Sequence, residues 1–462
     1  MEENEKNPQQ TPPEETQYGI SEDLYQQINS SIEIGDEKLL NKILSKLHAA
    51  DIADFINVIS HEKRKKFIAL IRKNFDPEIL LELNTNVKEE IIRLLGNAHS
   101  ATAITKLDTE DAVDFIEDLK EEGQKKLLEA IPKERRDELV EGLAYPEDSA
   151  GRLIDKKIVC VPEFWTVGQT LDFLKENRSL PEEFFEIFIV DPKMKPVGGV
   201  LLSRIIRSEN NTLMKNITSK HLNTIKADMD QEEVAYIFRQ YGLASAPVVN
   251  DENRIIGVIT VDDIVSVIEE EAQEDILHLG GILETDLHSS FINTVKRRFP
   301  WLLVNLLTAV VASIVIWFFE GTIEKISSLA VLMPIVASMG GNAGTQTITV
   351  IVRAIATKEL TTNNALRVVG KEILVGGLNG LLFAIISAVM VFIWYQNIIL
   401  SITFAFATIV TLLLAGLAGT LIPIGLVKRG VDPAIASTVI LTTVTDVIAF
   451  GAFLGMAAYI LL

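Results

Sequence analysis

The chain has 462 residues and a formal net charge of −20, which is divided unevenly along its length. Residues 1–295 carry a net charge of −24, whereas the stretch from Lys296 onward carries +4 and is strongly apolar. The length predicts two or more domains, and the acidic half argues against nucleic acid and for cations as partners. The single cysteine, Cys160, excludes an internal disulfide framework and is typical of a reducing compartment.

An internal helical repeat follows a polar N-terminal stretch. Residues 1–20 contain no apolar run, so we expect a disordered tail and no signal peptide. Residues 47–71 then match residues 107–131 at a shift of 60, and both copies have helical periodicity without strand signals. The repeat predicts stacked helix pairs that form an α-superhelical domain over 21–143.

A second repeat has the pattern strand, polar turn, strand and helix. The stretch IFIVDPKMKPVGGVLLSRII (187–206) resembles APVVNDENRIIGVITVDDIV (246–265), and a matching amphipathic helix precedes each copy. This pattern resembles a tandem pair of CBS domains, which are α/β regulatory modules that often bind adenosine nucleotides. We place the pair within 144–275, with the copies at about 153–214 and 215–275.

The CBS resemblance implies a nucleotide site that this chain matches in one copy only. The Thr and the second Asp of GVITVDDI commonly hold phosphate and ribose in such sites, and here they are Thr260 and Asp263. The first copy has Arg204 and Ile205 at the corresponding places, and Ile205 stands where an acid would hold ribose. ATP binding through Thr260 and Arg204 therefore stays open, beside a purely structural dimerisation role.

An acidic run follows the second CBS copy. The stretch VIEEEAQEDILHLGG holds five acids between Glu269 and Asp275, where the CBS pair meets a predicted connecting helix over 276–298. Such a run is usually a solvated helix face. At a domain junction, however, like charges repel unless cations bridge them, so metal occupancy or protonation could move the domains.

Residues 299–462 contain five apolar stretches that are long enough to cross a bilayer. They run at about 300–319, 329–352, 373–395, 400–427 and 433–462. Nine Lys and Arg residues flank one side of these spans, and Lys325 alone lies on the other side. This asymmetry predicts an all-α five-helix transmembrane domain with the N-terminus in the cytosol and the C-terminus outside.

The second and fifth spans carry polar residues at membrane depth. The second contains MGGNAGTQ, in which Asn342 and Gln346 stand among glycines that allow either close helix packing or an opened backbone. The fifth carries Asp446 as its one carboxylate, which costs at least about 2.5 kcal/mol at the bilayer centre. No Lys, Arg or His lies at this depth, so a cation is the natural partner; an inert protonated acid and a proton relay are the alternatives.

Three hydroxyl side chains lie within reach of Asp446 on a helical face. Thr443 precedes it by three residues, Thr442 by four and Thr438 by eight. Hydroxyl and carboxylate oxygens suit a hard cation that keeps much of its water, as Mg²⁺ does. One charge per chain is little for a divalent ion, and a symmetric dimer would bring two copies to one axis.

The order of these parts resembles the MgtE family of magnesium transporters. The resemblance rests on the helical domain, the linker YPEDSAGRLI, the CBS pair, the connecting helix, the five spans, MGGNAGTQ and the terminal DPA…TDV, and it covers about 21–462. It implies a homodimer whose pore lies on the dimer axis between the second and fifth spans. Asp446 is then the pore carboxylate for hydrated Mg²⁺, with Thr442 and Thr438 beside it. Further pore-lining candidates are Asn342, Gln346 and Asp432.

The resemblance also implies a Mg²⁺ sensor on the cytosolic side, which closes the gate through the connecting helix when occupied. The matching acids are Asp230, Glu232, Asp263, Glu271, Glu274 and Asp275, with Asp111 and Asp114 on the helical domain. Two positions depart from the family pattern, because Ser266 and Gly242 replace acids that would bind sensor ions. We expect this change to alter the sensitivity of the sensor.

These observations predict a Mg²⁺-selective channel, gated by intracellular Mg²⁺, that mediates uptake across the plasma membrane as a homodimer in lipid. The alternatives are a cation-coupled divalent-metal carrier and a membrane-tethered CBS nucleotide sensor. We expect no enzymatic activity, because the sequence contains no HExxH, CxxC, Walker loop or Ser/His/Asp arrangement.

Overall fold

The computed structural model describes residues 19–461 except 182, 220–221, 283–290 and 362, and it gives only the backbone at 85, 86, 293 and 436. Contacts divide the chain into an N-terminal unit, Met1–Ile264, and a C-terminal unit, Val265–Leu462. Most of the predicted tail over 1–20 and the middle of the predicted connecting helix over 276–298 lie outside the described residues.

The N-terminal unit begins with a helical domain. Its α-helices are α1 (Glu22–Ile34), α2 (Glu37–Leu44), α3 (Ala49–Val58), α4 (His61–Ile71), α5 (Thr85–Leu95), α6 (Asn97–Lys106), α7 (Thr109–Glu117), α8 (Glu121–Ala130) and α9 (Lys133–Leu143). Short 3₁₀ turns lie at Arg72–Asn74 and Pro77–Leu80. The apolar faces share one core, in which the repeat-related Phe55 and Phe115 are both buried. The helical class predicted from the repeat is confirmed.

Two three-stranded sheets follow, one for each copy of the second repeat. The strands are β1 (Cys160–Pro162), β2 (Glu186–Val190), β3 (Pro196–Leu201), β4 (Ile225–Lys226), β5 (Ser245–Val249) and β6 (Ile255–Thr260). The helices among them are α10 (Val167–Glu176), α11 (Leu202–Ile206), α12 (Met214–Ile217) and α13 (Gln231–Tyr241). In each sheet the first strand is parallel and the third antiparallel to the central strand. The repeated topology confirms the predicted α/β fold of the CBS region.

A close backbone contact holds the segment before β1 against β6. The Asp155 N–H donates to the Val258 carbonyl and the Val258 N–H donates to the Asp155 carbonyl, both at 2.9 Å. A Cβ atom at Gly257 would lie 2.5 Å from the Asp155 carbonyl oxygen, so this approach requires glycine. The contact fixes Asp155 beside the second sheet.

The C-terminal unit is helical. Its helices are α14 (Val261–Leu279, which begins in the N-terminal unit), α15 (Phe291–Phe318), α16 (Glu320–Lys325), α17 (Ser328–Ala356), α18 (Ala365–Tyr395), α19 (Ile398–Val427) and α20 (Pro433–Ile460). Of the described helices, four are long and apolar enough to cross a membrane, and they belong to α15, α18, α19 and α20. The second predicted span, α17, is a helix of 29 residues but is not among the four, because small and amide residues interrupt its apolar sequence.

Two glycines of the MGGNAGTQ stretch serve helix packing. A Cβ atom at Gly340 would lie 2.6 Å from Cγ2 of Thr411 on α19, and one at Gly344 would lie 2.8 Å from Cδ1 of Leu441 on α20. The helix α17 continues without interruption through both glycines. Of the two roles that the sequence left open, close packing therefore applies here, and the backbone is not opened.

Candidate metal sites

Asp446 lies in the middle of α20 and is half-buried. Among the residues that the structure describes, none donates a hydrogen bond to its carboxylate. One turn earlier, the exposed Thr442 donates its hydroxyl to the Thr438 carbonyl at 2.9 Å, and Thr443 donates to the Val439 carbonyl at 2.8 Å. These donations use the hydroxyl hydrogens within the helix, so the oxygen lone pairs remain available to a cation.

The exposed face of α17 is polar at the same stretch that the sequence singled out. Its exposed polar residues are Ser338, Asn342, Thr345, Gln346 and Thr349. The Asn342 amide donates to the Ser338 hydroxyl at 3.4 Å, whereas the opposite face packs through apolar residues such as Leu332 and Val336. In one copy of the chain this polar face is uncovered, although it lies within a long helix of the apolar unit.

The end of α14 contacts the first turns of α20. The Thr438 hydroxyl donates to the Leu279 carbonyl at 3.2 Å. The Leu279 side chain packs against an apolar cluster formed by α17 and α20, whose buried members are Ile348, Val352, Ala434 and Leu441. A predicted pore residue is therefore engaged by the end of the helix that leaves the CBS region.

A histidine joins two of the predicted site residues. His278 is buried, and its Nδ1 lies 3.1 Å from Oδ2 of Asp432, while its Nε2 lies 3.4 Å from Oε1 of Glu274. Burial, and then the Asp432 carboxylate, raise the pKa of Asp275, and His278 opposes the shift. His278 was not among the residues predicted from the sequence, although it stands four residues after Glu274 on one helical face.

A second acidic cluster lies within the N-terminal unit, between the helical domain and the second CBS sheet. Burial raises the pKa of Glu110 to about 9, with the Asp155 carboxylate as the next cause. Burial and Asp263 raise the pKa of Asp111 to about 7. Burial raises the pKa of Asp263 to about 6, although hydrogen bonds from Thr260 oppose the shift. These four carboxylates repel one another where water screens them poorly.

One atom of this cluster is buried without a partner. Oε2 of Glu110 accepts no hydrogen bond from the described residues. A nearby cation, Lys157, pairs instead with Asp108. A carboxylate oxygen in this state needs either a proton or a metal ion. The sequence predicted Asp111 and Asp263 as site residues but not Glu110 and Asp155. The signal that points to Glu110 is the acidic stretch DTEDAVD at 108–114.

The other predicted sensor acids are dispersed. Asp114 lies 3.9 Å from the Lys88 ammonium, and the exposed Asp230 caps α13 by accepting from the Glu232 N–H at 2.9 Å. Glu271 is half-buried on α14. In the described part of the chain, no three His, Cys, Asp or Glu side chains are arranged to hold a metal ion.

The two predicted nucleotide residues have different surroundings. The Thr260 hydroxyl donates to Oδ2 of Asp263 at 2.9 Å and to Oδ1 of Asp262 at 2.5 Å. Arg204 is exposed on α11. A nucleotide at this site would have to displace the hydrogen bonds that Thr260 makes within its own turn.

Comparison with known proteins identifies the family. The family model described as a divalent cation transporter matches residues 333–456, the one for an intracellular N domain matches 47–148, and the CBS model matches 214–270. The magnesium transporter MgtE of Thermus thermophilus is 30% identical over 449 residues, which are 96% of this chain and 99% of that protein. This chain belongs to the MgtE family.

Other MgtE proteins are also similar to this chain. The magnesium transporter MgtE of Bacillus subtilis is 26% identical over 416 residues, which are 90% of this chain and 92% of that protein. The protein in a crystal structure of the cytosolic domain of the Mg²⁺ channel MgtE in complex with ATP is 26% identical to this chain. The match has a TM-score of 0.49 and covers 53% of this chain and 99% of the chain in that structure. The predicted family is confirmed, and the chain is a membrane transporter of the MgtE type.

Proposed function

We propose that this chain is a Mg²⁺-selective channel, gated by intracellular Mg²⁺, that mediates Mg²⁺ uptake across the plasma membrane. The observation that carries the proposal is Asp446, a half-buried carboxylate without a hydrogen-bond donor among the described residues, in the middle of a membrane-crossing helix. A charge at this depth requires a partner. The relatives named magnesium transporters favour Mg²⁺ as that partner.

Two copies form the pore in this proposal. In one chain, Asn342 on the polar face of α17 and Thr442 on α20 are exposed, and Asp446 is half-buried. Polar groups at membrane depth are stable only against protein or water. A two-fold axis beside these faces would cover them and bring two Asp446 carboxylates to one Mg²⁺, which keeps most of its own water.

In this proposal, the membrane potential supplies the free energy for uptake. Two positive charges that move inward through about 100 mV release roughly 4.6 kcal/mol. In this proposal the N-terminal unit lies in the cytosol, because the basic residues that flank the spans lie on the same side as that unit. All five long helices, including α17, then cross the membrane.

Gating acts through the end of α14. The Thr438 hydroxyl donates to the Leu279 carbonyl, and Leu279 packs against residues of α17 and α20. In this proposal, that arrangement is the closed state. Mg²⁺ bound among Glu271, Glu274 and Asp275 would relieve their mutual repulsion and hold α14 in place. The cluster around Glu110 and Asp263 would hold a second regulatory ion, since Glu110 Oε2 is buried without a partner in the described residues.

The first test is Mg²⁺ flux into proteoliposomes by native protein and by Asp446→Asn. We expect the variant to lose at least tenfold in flux, because an amide cannot neutralise the cation. Glu324→Gln, which changes an exposed carboxylate on α16, is the matched control and should conduct as the native protein does. Equal flux in native protein and Asp446→Asn would mean that the ion path lies elsewhere and that Asp446 is structural.

Gating is tested by neutralising Glu271, Glu274 and Asp275 together. We expect this variant to conduct at cytosolic Mg²⁺ concentrations that close the native channel, because the charges that bind the regulatory ion are gone. Patch recordings across a series of cytosolic Mg²⁺ concentrations measure the effect. Unchanged inhibition by Mg²⁺ would refute the sensor role of these acids.

A cation-coupled carrier is the second candidate. A reversal potential that follows the Mg²⁺ gradient alone identifies a channel, whereas one that also follows a second ion identifies coupled transport. Coupled transport would need a second ion site, and the C-terminal unit contains a polar region besides the proposed pore.

A further inference from the structure

A polar crevice of about 230 Å³ lies between α17, α18 and α19. Its polar lining consists of Glu372 and Asn379 from α18 and Gln346 and Thr347 from α17. Its volume equals that of about eight liquid water molecules. A region of this size with four polar side chains, lined in part by α18 and α19, which are long and apolar enough to span a membrane, is not explained by helix packing.

The helices α17 and α18 place these four side chains around one crevice. Glu372 and Asn379 are seven residues apart, so they lie on one face of α18 two turns apart. The Thr347 hydroxyl donates to Oε2 of Glu372 at 3.3 Å. On α19, a Cβ atom at Gly416 would lie 3.1 Å from the Glu372 carbonyl oxygen, so α19 packs closely against α18 here and contributes backbone rather than a side chain beside Glu372.

The Thr347 side of the crevice lies on a different flank of α17 from the proposed pore, and the exposed Gln346 borders both. Thr347 is about 140° around the helix from Asn342, at 100° per residue. Thr347 also packs against Gly419 of α19, in the interior of the unit, whereas Asn342 is exposed. If the two-fold axis of the proposed function is correct, each copy of the chain carries its own crevice away from that axis.

We propose that this crevice binds one monovalent metal cation. The oxygens of a carboxylate, two amides and a hydroxyl are ligands for hard cations. Away from the axis only one carboxylate, Glu372, is supplied by the lining, and it neutralises one positive charge. A divalent ion would leave a net charge in a medium of low dielectric constant, which is costly.

Neighbouring charges favour the same choice. Lys371 precedes Glu372 in the chain, and Lys371 and Arg367 line an adjoining groove that shares Val375 with the crevice. Two nearby positive charges repel a divalent ion more strongly than a monovalent one. A bound cation would join α18 to α17, the helix that carries Asn342, and would therefore stabilise the arrangement of the pore-lining helix.

The test is a thermal-unfolding series on the purified full chain in detergent, followed by tryptophan fluorescence. The midpoint is measured with NaCl and with choline chloride at equal ionic strength, in the presence of a chelator of divalent ions. We expect Na⁺ to raise the midpoint of the native protein and to leave that of Glu372→Gln unchanged. Glu359→Gln, an exposed carboxylate in the α17–α18 connection, is the matched control and should keep the Na⁺ response.

A milder variant covers the case in which Glu372→Gln does not fold. Asn379→Ala removes one neutral ligand and should raise the Na⁺ concentration for half of the shift about tenfold. The proposal is wrong if Na⁺ has no effect on the native protein, if Glu372→Gln keeps the full response, or if Asn379→Ala responds as the native protein does. It is also wrong if Mg²⁺, added without Na⁺ and without the chelator, produces the shift that Glu372→Gln removes.

This test is independent of the proposed Mg²⁺ channel. The unfolding series does not measure flux, so it tests Na⁺ binding even if the native protein does not conduct Mg²⁺. Asp446→Asn should lose Mg²⁺ flux and keep the Na⁺-dependent shift. Loss of the Na⁺ shift in Asp446→Asn would mean that the crevice is not an independent site, and the proposal would fail while the pore assignment stood.

Discussion

The behaviour of Glu110 shows how strongly position decides the chemistry of one residue. Its neighbour in the chain, Asp111, was predicted from the family resemblance, yet the higher pKa belongs to Glu110, at about 9 against about 7. Burial against the CBS sheet and the Asp155 carboxylate cause this difference. No pattern in the stretch DTEDAVD distinguishes the buried acid from the others, because the burial arises from a contact with residues that are distant in sequence.

This pKa predicts a pH dependence of stability in the absence of Mg²⁺. The folded protein keeps the proton of Glu110 up to about pH 9, while the unfolded chain loses it near pH 4.5, so stability falls as pH rises between these values. Glu110→Gln should remove a loss on the order of 1–3 kcal/mol between pH 5 and 7. Calorimetry of the full chain measures the first thermal transition, with the exposed Glu129→Gln as control. A pH slope in Glu110→Gln as steep as that of the native protein would contradict this account.

At the scale of elements, the proposed gating depends on the conformation of the end of α14. Gly281 follows the helix with φ of +72°, a left-handed value, and a Cβ atom there would lie 1.8 Å from Nε1 of Trp301 on α15. The glycine lets the chain leave α14 directly beneath the indole ring. The hydrogen bond from Thr438 to Leu279 lies two residues before it.

Gly281→Ala should therefore weaken the closed state. A left-handed conformation costs roughly 1–2 kcal/mol with a side chain, and the contact with Trp301 adds to this cost. The ratio of closed to open channels should fall at least about tenfold, seen as residual current at high cytosolic Mg²⁺. Gly280→Ala is the matched control, since its Cβ would meet only the Leu277 carbonyl oxygen at 3.3 Å and the Ile276 carbonyl oxygen at 3.7 Å. Equal currents from the two variants would exclude a role for this turn in closure.

Helix faces explain which parts of the site could be predicted. Asp446 is visible in the sequence because one charge interrupts a long apolar stretch, and Thr442 follows from helical periodicity. Glu372 was missed because the predicted third span began at residue 373, whereas α18 begins at Ala365. Gly340 and Gly344 could not be assigned from sequence, since close packing and an opened backbone need the same residue type, and only the distances to Thr411 and Leu441 decide.

At the scale of the whole molecule, the prediction of domain classes from sequence succeeded because each class has its own periodicity. The helical repeat, the strand–strand–helix repeat and the apolar spans gave three kinds of structure that the fold contains. Contacts between parts of the chain were not predictable in this way. The pairing of His278 with Asp432 joins residues 154 positions apart, and neither residue type nor spacing signals it.

The proposed two-fold arrangement makes one prediction for the intact assembly. If the exposed face of α17 lies on the axis, Asn342 of one copy is near Asn342 of the other, whereas the exposed Ile386 on α18 faces lipid. Because the native chain has one cysteine, Cys160→Ser provides a background without thiols. In that background, mild oxidation in membranes should join most of the Asn342→Cys protein into disulfide-linked dimers and little of the Ile386→Cys protein. A disulfide forms only when the two Cα atoms lie within about 7 Å, so the yield reports distance directly.

Mg²⁺ should raise the yield at Asn342 further, because closure holds the two copies of α17 at the axis. Equal yields at the two positions would remove the axis from α17 and, with it, the shared Mg²⁺ site at Asp446.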